Sequence, residues 1–117
     1  MEGHANLRGV SISSRDMDEW IRVAAIGDLP PEGSGFAVKA DGIGIALFRR
    51  EGRIHAIEDL CPHLGFPLSE GILLQGEIVC GWHGWRICLE DGSCRREKAR
   101  AKVFACEVQG EEIFVYI

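Results

Sequence analysis

The apolar residues in the first half of the chain fall in short runs that glycine, proline and acidic residues interrupt. These runs cover residues 20–26, 35–39, 43–49 and 53–58. Runs of four to eight residues between such breaks predict β-strands rather than helices. Glu51-Gly52, between the last two runs, predicts a hairpin, because glycine supplies the positive φ that a tight turn needs.

The second half of the chain continues this pattern. Ile78-Val79 is a short apolar run, and apolar and polar residues alternate from Trp85 to Glu90. Two further runs, at 103–108 and 113–117, are joined by Gln109-Gly110. Short, regularly spaced strands with glycine turns predict an all-β fold, as an antiparallel sandwich or a small barrel.

Length and composition are those of an ordinary single globular domain. The chain has 117 residues, of which 46% are hydrophobic and 26% charged, and its net charge is −5. The negative charge disfavours nucleic acid as a partner, and no apolar run approaches the roughly 18 residues of a membrane span. Residues 1–18 lack the basic start and apolar run of a signal peptide, which favours the cytoplasm.

Two segments depart from the regular pattern. Residues 1–17 are mixed and aperiodic, and we expect a flexible N-terminal arm there. Residues 95–102 contain five basic residues and one acidic residue, although the chain as a whole is acidic. A solvated loop face is the first interpretation of this segment, and a docking patch for an acidic partner is the alternative.

Two cysteine–histidine pairs are the strongest chemical signal in the sequence. Cys61-Pro62-His63 is followed, after sixteen residues, by Cys80-Gly81-Trp82-His83, and a glycine follows each histidine within two residues. Thiolates are soft anionic ligands of iron, and neutral imidazoles carry less negative charge. Two thiolates and two imidazoles from two loops therefore suit a 2Fe-2S cluster with cysteines on one iron and histidines on the other.

This C-x-H and C-x-x-H-G pattern resembles the Rieske iron–sulfur family. The resemblance implies an antiparallel β domain over residues 18–117, with a small inserted cluster-binding subdomain at about residues 60–91. It implies one 2Fe-2S cluster, with Cys61 and Cys80 on the buried iron and His63 and His83 on the outer iron. Glycines 65, 81 and 84 would let backbone N–H groups approach the sulfurs closely.

The function implied by the resemblance is that of a soluble Rieske-type ferredoxin. Such a protein carries single electrons from a flavin-dependent NAD(P)H reductase to an oxygenase or another terminal oxidoreductase. The run from Cys61 to Gly71 also resembles nitrite reductase small subunits, so a subunit of a nitrite reductase-like complex is an alternative. A zinc-binding or non-redox module is another, because zinc also takes two cysteines and two histidines. No independent catalytic site is seen in the sequence.

Four positions differ from the high-potential members of the resembled family. Those relatives carry a disulfide between the two loops, whereas Phe66 and Trp82 stand at these positions here. They also carry serine and tyrosine hydroxyls near the cluster, where this chain has Trp85 and Ile87. Fewer hydrogen-bond donors stabilise the reduced cluster less, so we expect a potential toward the low end of about −150 to +300 mV.

The remaining cysteines and histidines have simpler interpretations. The alternation of residues 104–108 predicts a buried strand position for Cys106. Cys88 falls on the polar side of its strand and Cys94 follows a turn, and we interpret both as unreactive thiols. His55 lies on a predicted strand and is interpreted as an exposed or hydrogen-bonded residue rather than a ligand.

Overall fold

The computed structural model describes residues 20–62, 65–80, 84–94 and 97–117, apart from the side chains of residues 97 and 99. The predicted arm of residues 1–17 lies outside them. Eleven strands occupy the described residues: β1 Trp20–Ala25, β2 Gly35–Ala40, β3 Ile43–Arg50, β4 Arg53–Glu58, β5 Ile72–Leu74, β6 Glu77–Val79, β7 Arg86–Cys88, β8 Ser93–Cys94, β9 Glu97–Arg100, β10 Val103–Gln109 and β11 Glu112–Tyr116. The predicted all-β fold is confirmed. In the part of the chain that the structure describes, no helix has the length and apolar character needed to cross a membrane.

The strands form two antiparallel sheets. The first has six strands in the order β1-β11-β10-β4-β3-β2, and its outer strands β1 and β2 also contact each other. This sheet is therefore a nearly closed barrel. The second has five strands in the order β5-β6-β7-β8-β9 and is inserted between β4 and β10 of the first. The predicted subdomain of about residues 60–91 contains β5 to β7, while β8 and β9 lie beyond it.

Three hairpins are closed by two-residue turns of the same kind. Asp41-Gly42, Glu51-Gly52 and Gln75-Gly76 join consecutive strands, and both residues of each pair have a positive φ. This is the backbone of a type I′ turn, whose twist matches that of the flanking strands. The predicted hairpin at Glu51-Gly52 is confirmed.

The basic segment differs from its prediction as a loop. Residues 97–100 form strand β9, which pairs with β8. Lys98 and Arg100 are exposed. A strand of alternate basic residues can pair through its backbone while its charged side chains stay in water, and periodic hydrophobicity alone does not reveal such a strand.

One hydrophobic cluster fills the barrel. It contains Ile45 and Leu47 of β3, Ala56 of β4, and Ile113 and Val115 of β11, all at most 1% exposed. The alternate residues of these strands point out of the barrel, as the two-residue period of a strand requires. The barrel therefore has a complete core of its own.

A second cluster lies between the barrel and the inserted sheet. Ala46 and Phe48 of β3 pack there with Ile78 and Ile87 of the second sheet. Both faces of β3 are thus buried, which explains why residues 43–49 form a nearly continuous apolar run rather than an alternating one. This second cluster holds the inserted sheet on the barrel and also contains two of the predicted ligands, Cys61 and Cys80.

Candidate metal centre

The first ligand loop follows β4 and is closed by the backbone of Cys61. The Cys61 N–H donates to the carbonyl oxygen of Phe66 at 2.7 Å, and the Gly65 N–H donates to the carbonyl oxygen of Cys61 at 2.8 Å. Gly65 has a φ of 74°, a conformation that side chains rarely adopt. These bonds turn the chain sharply and hold Cys61 at the base of the loop.

The second ligand loop has the same closure. The Cys80 N–H donates to the carbonyl oxygen of Trp85 at 2.7 Å, and Gly84 has a φ of 67°. In both loops the glycine stands four residues after the cysteine, and the carbonyl acceptor stands five residues after it. The repeated cysteine–glycine–aromatic spacing is therefore a repeated backbone geometry. The sequence carried this signal, but only the hydrogen bonds reveal its cause.

The pairing of β5 with β6 brings the two loops together. Ile72, which follows the first loop, pairs with Val79, which directly precedes Cys80. A Cβ atom on Gly71 would lie 2.6 Å from the carbonyl oxygen of Val79, so only glycine allows the two segments to approach this closely. The segment that ends one loop thus contacts the strand that enters the other.

Both predicted cysteine ligands are buried in the same place. Cys61 and Cys80 are each 1% exposed and belong to the cluster between barrel and inserted sheet, and Phe66 and Trp85 pack against that cluster. Neither sulfur is part of a disulfide. Two thiol groups at the bases of two equivalent loops, in apolar surroundings, fit the thiolate half of a Rieske ligand set.

An aspartate carboxylate ties the two sides of the first loop together. The Asp59 Oδ1 atom accepts a hydrogen bond from the Ser69 N–H at 2.7 Å, and Oδ2 accepts one from the Ser69 hydroxyl at 2.9 Å. Asp59 precedes the loop and Ser69 follows it, so these bonds fix its width. The sequence alone does not reveal this pair, because Ser69 lies ten positions after Asp59 and neither residue belongs to the ligand motif.

The predicted histidine ligands, His63 and His83, lie outside the described residues. Among the residues that are described, no three histidine, cysteine or acidic side chains converge on a possible metal position. Whether the site suits an iron–sulfur cluster is therefore judged from the two buried cysteines, the matched loops and the ligand types in the sequence. These residues fit a 2Fe-2S cluster, whose cysteine ligands need a buried apolar base.

The described loop glycines have a clear backbone role. The Gly65 N–H donates to the Cys61 carbonyl oxygen. Glycine is needed at position 65 because of its positive φ. Gly81 lies outside the described residues.

The other cysteines and His55 occupy different surroundings. Cys94 is buried in the same cluster as the two ligand cysteines, which its position after a turn did not predict. Cys88 is half-buried on the outer side of the inserted sheet. Cys106 is half-buried against the barrel core rather than fully buried. Burial, and then the charge of Arg53, lowers the pKa of the half-buried His55.

Comparison with known proteins identifies the class to which this site belongs. The Rieske [2Fe-2S] domain family matches residues 19–115. The ferredoxin component of the naphthalene 1,2-dioxygenase/salicylate 5-hydroxylase systems of a Ralstonia species is 32% identical over 98 residues, which cover 82% of this chain and 93% of that protein. The chain therefore belongs to the Rieske [2Fe-2S] domain family, and its cofactor is one Rieske-type 2Fe-2S cluster.

Some relatives are much longer than this chain. The 4beta-methylsterol monooxygenase of Methylococcus capsulatus is 36% identical over 87 residues, which are 64% of this chain but only 24% of that enzyme. A vanillate O-demethylase oxygenase subunit of a Pseudomonas species matches over 16% of its length. This chain thus spans about a quarter or less of these two oxygenases.

Two solved structures share the fold over most of both chains. A chain in the complex of reduced oxygenase and oxidized ferredoxin in carbazole 1,9a-dioxygenase has a TM-score of 0.75 and 31% identity, covering 84% of this chain and 93% of that one. A chain assigned as the small subunit of an NADH-dependent nitrite reductase from Mycobacterium tuberculosis also has a TM-score of 0.75, with 29% identity and coverage of 84% and 94%.

Proposed function

We propose that this protein is a Rieske-type ferredoxin that takes one electron from a flavin-dependent NAD(P)H reductase and passes it to an oxygenase or another terminal oxidoreductase. The observation that carries the proposal is the nearly end-to-end match with a ferredoxin component of a dioxygenase system. The described residues supply a buried cysteine pair and two matched loops, which is what a carrier of one cluster requires.

The proposal assigns a role to each predicted ligand. Cys61 and Cys80 hold the inner iron from the bases of their loops, and His63 and His83 hold the outer iron. When bound, the 2Fe-2S cluster supplies a store for a single electron. The protein contributes the loop closure, the apolar base and the Asp59 bonds that keep the cysteines in place. The proposal includes a cytoplasmic location, where thiols such as Cys88, Cys94 and Cys106 stay reduced.

Ligand variants with matched controls test the site. Cys61→Ser, Cys80→Ser, His63→Ala and His83→Ala should each lose the visible absorption and the reduced EPR signal of the cluster. Cys94→Ser and His55→Ala should keep both, because one removes a cysteine of the same buried cluster and the other a histidine away from the loops. Iron and sulfide analysis of the native protein should give two of each per chain. Retention of the cluster in Cys61→Ser or Cys80→Ser would contradict the assignment.

Electron transfer tests the carrier role directly. The oxidised holoprotein should be reduced by NADH only when a flavoprotein reductase is present, which is seen as bleaching of its visible absorption. Reoxidation by the oxygenase component of a naphthalene dioxygenase system, coupled to product formation, would support delivery to an oxygenase. A holoprotein that a reductase cannot reduce, even when its cluster is reducible by dithionite, would argue against a carrier.

A subunit of a nitrite reductase-like complex is the second candidate. It is favoured by the structural match to the small subunit from Mycobacterium tuberculosis. Size-exclusion chromatography of the tagged protein from its own cells separates the two functions. A carrier elutes alone, whereas a subunit elutes in fixed ratio with a larger catalytic chain.

A further inference from the structure

Three exposed basic residues lie on the last strand of the inserted sheet and just after it. Lys98, Arg100 and Lys102 are exposed and alternate along β9 and the two residues that follow it, and we call them the basic stripe. Ala101, between the last two, is 2% exposed and belongs to the cluster that contains Cys61 and Cys80. The alternation of β9 directs Lys98 and Arg100 to water, and the burial of Ala101 anchors the chain just before the exposed Lys102.

The strand topology relates the two ends of the basic stripe to the two ligand loops. Because β6, β7 and β8 are antiparallel, β8 ends at the same end of the sheet at which β6 leads into Cys80. Cys94, the last residue of β8, pairs with Glu97, so β9 begins at this end. At the other end of the stripe, the Glu58 N–H donates to the Lys102 carbonyl oxygen at 2.7 Å. Glu58 ends the strand that leads into the first loop.

The positive charges of the basic stripe are not neutralised by ion pairs within the described residues. No described carboxylate lies within 4 Å of a charged nitrogen of the stripe, whereas Arg86 and Glu77 form a 3.1 Å pair on the same sheet. The Asp91 carboxylate accepts bonds from the Ser93 N–H and hydroxyl, and the charge of Arg100 acts on it without a direct ion pair, whereas the Glu58 carboxylate accepts the backbone N–H of Lys102. The Lys102 ammonium lies 5.2 Å from the centroid of the Phe104 ring.

We propose that the basic stripe is a docking surface for the acidic face of a redox partner protein. A local positive surface on a chain of net charge −5 gives the molecule an electric dipole. This dipole orients an approaching partner and speeds a transient encounter. Three exposed bases are too few for the many phosphate contacts that a duplex DNA site requires, whereas the acidic face of a protein can be matched by a small basic surface. This inference rests on the proposed carrier function, because it identifies the chemistry of the partner.

Two variants of equal net charge test the docking surface. In the stripe variant, Lys98→Gln, Arg100→Gln and Lys102→Gln are combined. In the control variant, Arg22→Gln, Lys39→Gln and Arg53→Gln are combined, which removes three other exposed bases. Both variants lose three positive charges, so a difference between them reports the position of the charge and not its amount. The visible spectrum of the cluster shows that each variant is folded.

Binding of the holoprotein to poly-L-glutamate at low ionic strength is the first measurement. The native protein and the control variant should bind with similar affinity, and the stripe variant should bind about tenfold or more weakly. Absence of binding by the native protein, or equal binding by all three proteins, would overturn the proposal. In that case the lysines and arginine serve only to protect an edge strand from pairing with other chains. Stronger stripe-dependent binding to duplex DNA or to phosphatidylglycerol vesicles than to poly-L-glutamate would also overturn it.

Oxidation of the dithionite-reduced protein by ferricyanide is the second measurement. One electron passes from the protein to the trivalent anion, which becomes ferrocyanide. If the basic stripe lies on the electron-transfer surface, added salt should slow the reaction for the native protein and the control variant. Salt should accelerate it for the stripe variant, in which the net negative charge dominates. The same salt dependence for all three proteins would overturn docking of a redox partner at the stripe. A native holoprotein that no flavoprotein reductase can reduce would instead overturn the carrier function, while its poly-L-glutamate binding would still decide whether the stripe binds an acidic surface.

Discussion

Single side chains set the shape of the first ligand loop. Asp59 accepts both a backbone and a hydroxyl hydrogen bond from Ser69, although ten residues separate them. A charged acceptor strengthens both bonds, and removing it leaves a partly buried N–H without its acceptor. The width of the loop that carries Cys61 therefore depends on a carboxylate outside the ligand motif.

Asp59→Ala should lower the stability of the holoprotein by about 1.5–3 kcal/mol, the range for a hydrogen bond to a charged group. Ser69→Ala is the matched change, because it removes only the hydroxyl bond and keeps the backbone bond to Asp59. Urea unfolding, followed by the visible circular dichroism of the cluster, compares the two variants. If Asp59→Ala lowers the free energy of unfolding no more than Ser69→Ala does, the bond from the Ser69 N–H to Asp59 does not hold the loop.

Cys106 should be unreactive in the folded protein. Burial, and then the charge of Glu107, raises the pKa of its thiol to about 12. The thiol therefore stays protonated at pH 8.5, and the thiolate is the form that iodoacetamide alkylates. Peptide mass spectrometry should show slow labelling of Cys106 in the native protein and fast labelling in urea. Equal labelling rates would contradict the raised pKa.

The same pKa determines how Cys106 contributes to stability at alkaline pH. The folded protein holds the proton more tightly than the unfolded chain, whose thiol titrates near pH 9. The protonated Cys106 thiol therefore contributes its full share to the free energy of unfolding below about pH 9. This share is lost as the pH rises from there toward 12.

At the scale of elements, the chain returns to the barrel through a close backbone contact. The Ala101 N–H donates to the Gly92 carbonyl oxygen at 2.9 Å, and Gly92 has a φ of 77°. A Cβ atom on Gly92 would lie 2.0 Å from the Ala101 carbonyl oxygen. This contact fixes the hairpin of β8 and β9, and with it the basic stripe, against the rest of the inserted sheet.

Gly92→Ala should destabilise the protein more than Gly110→Ala. Both glycines have a positive φ, but nothing lies within 4 Å of a Cβ atom on Gly110. Gly110→Ala therefore adds only backbone strain and should lower the free energy of unfolding by about 1 kcal/mol. Gly92→Ala adds a steric clash to this strain and should lower it by about 2–3 kcal/mol or more. Thermal unfolding of both variants measures the difference. Equal costs would show that the Gly92–Ala101 contact relaxes without penalty.

At the scale of the whole molecule, the protein has two cores with different roles. The barrel core is complete in itself, and the second cluster joins the barrel to the inserted sheet and surrounds the ligand cysteines. Ile87 is fully buried in this second cluster, and Trp85 packs against it. These are the positions at which high-potential members of the family place hydroxyl groups, so the surroundings of the site are apolar where those proteins are polar.

The reduction potential should accordingly lie toward the low end of about −150 to +300 mV, because fewer donors stabilise the more negative reduced cluster. Protein-film voltammetry of the holoprotein at neutral pH measures it. A midpoint above about +100 mV would show that donors elsewhere in the loops replace the missing hydroxyls.

The sequence by itself determined the chemistry and most of the strands. Ligand types and spacing are local properties, and so are the alternation of strands and the glycines of two-residue turns. For that reason the all-β fold, the Glu51-Gly52 hairpin and the family were predictable. The sequence also marked both loops with the same cysteine–glycine–aromatic spacing.

Only the tertiary structure decided how distant segments meet. The short strands β5, β8 and β9 depend on pairing with neighbours, and their own residues carry little periodic signal. Three contacts join residues that are far apart in the chain or separated by a turn. They are the packing of Cys94 in the second cluster, the bond from Ser69 to Asp59 and the contact of Gly92 with Ala101. Such contacts follow from the packing of one sheet against another, which no local pattern encodes.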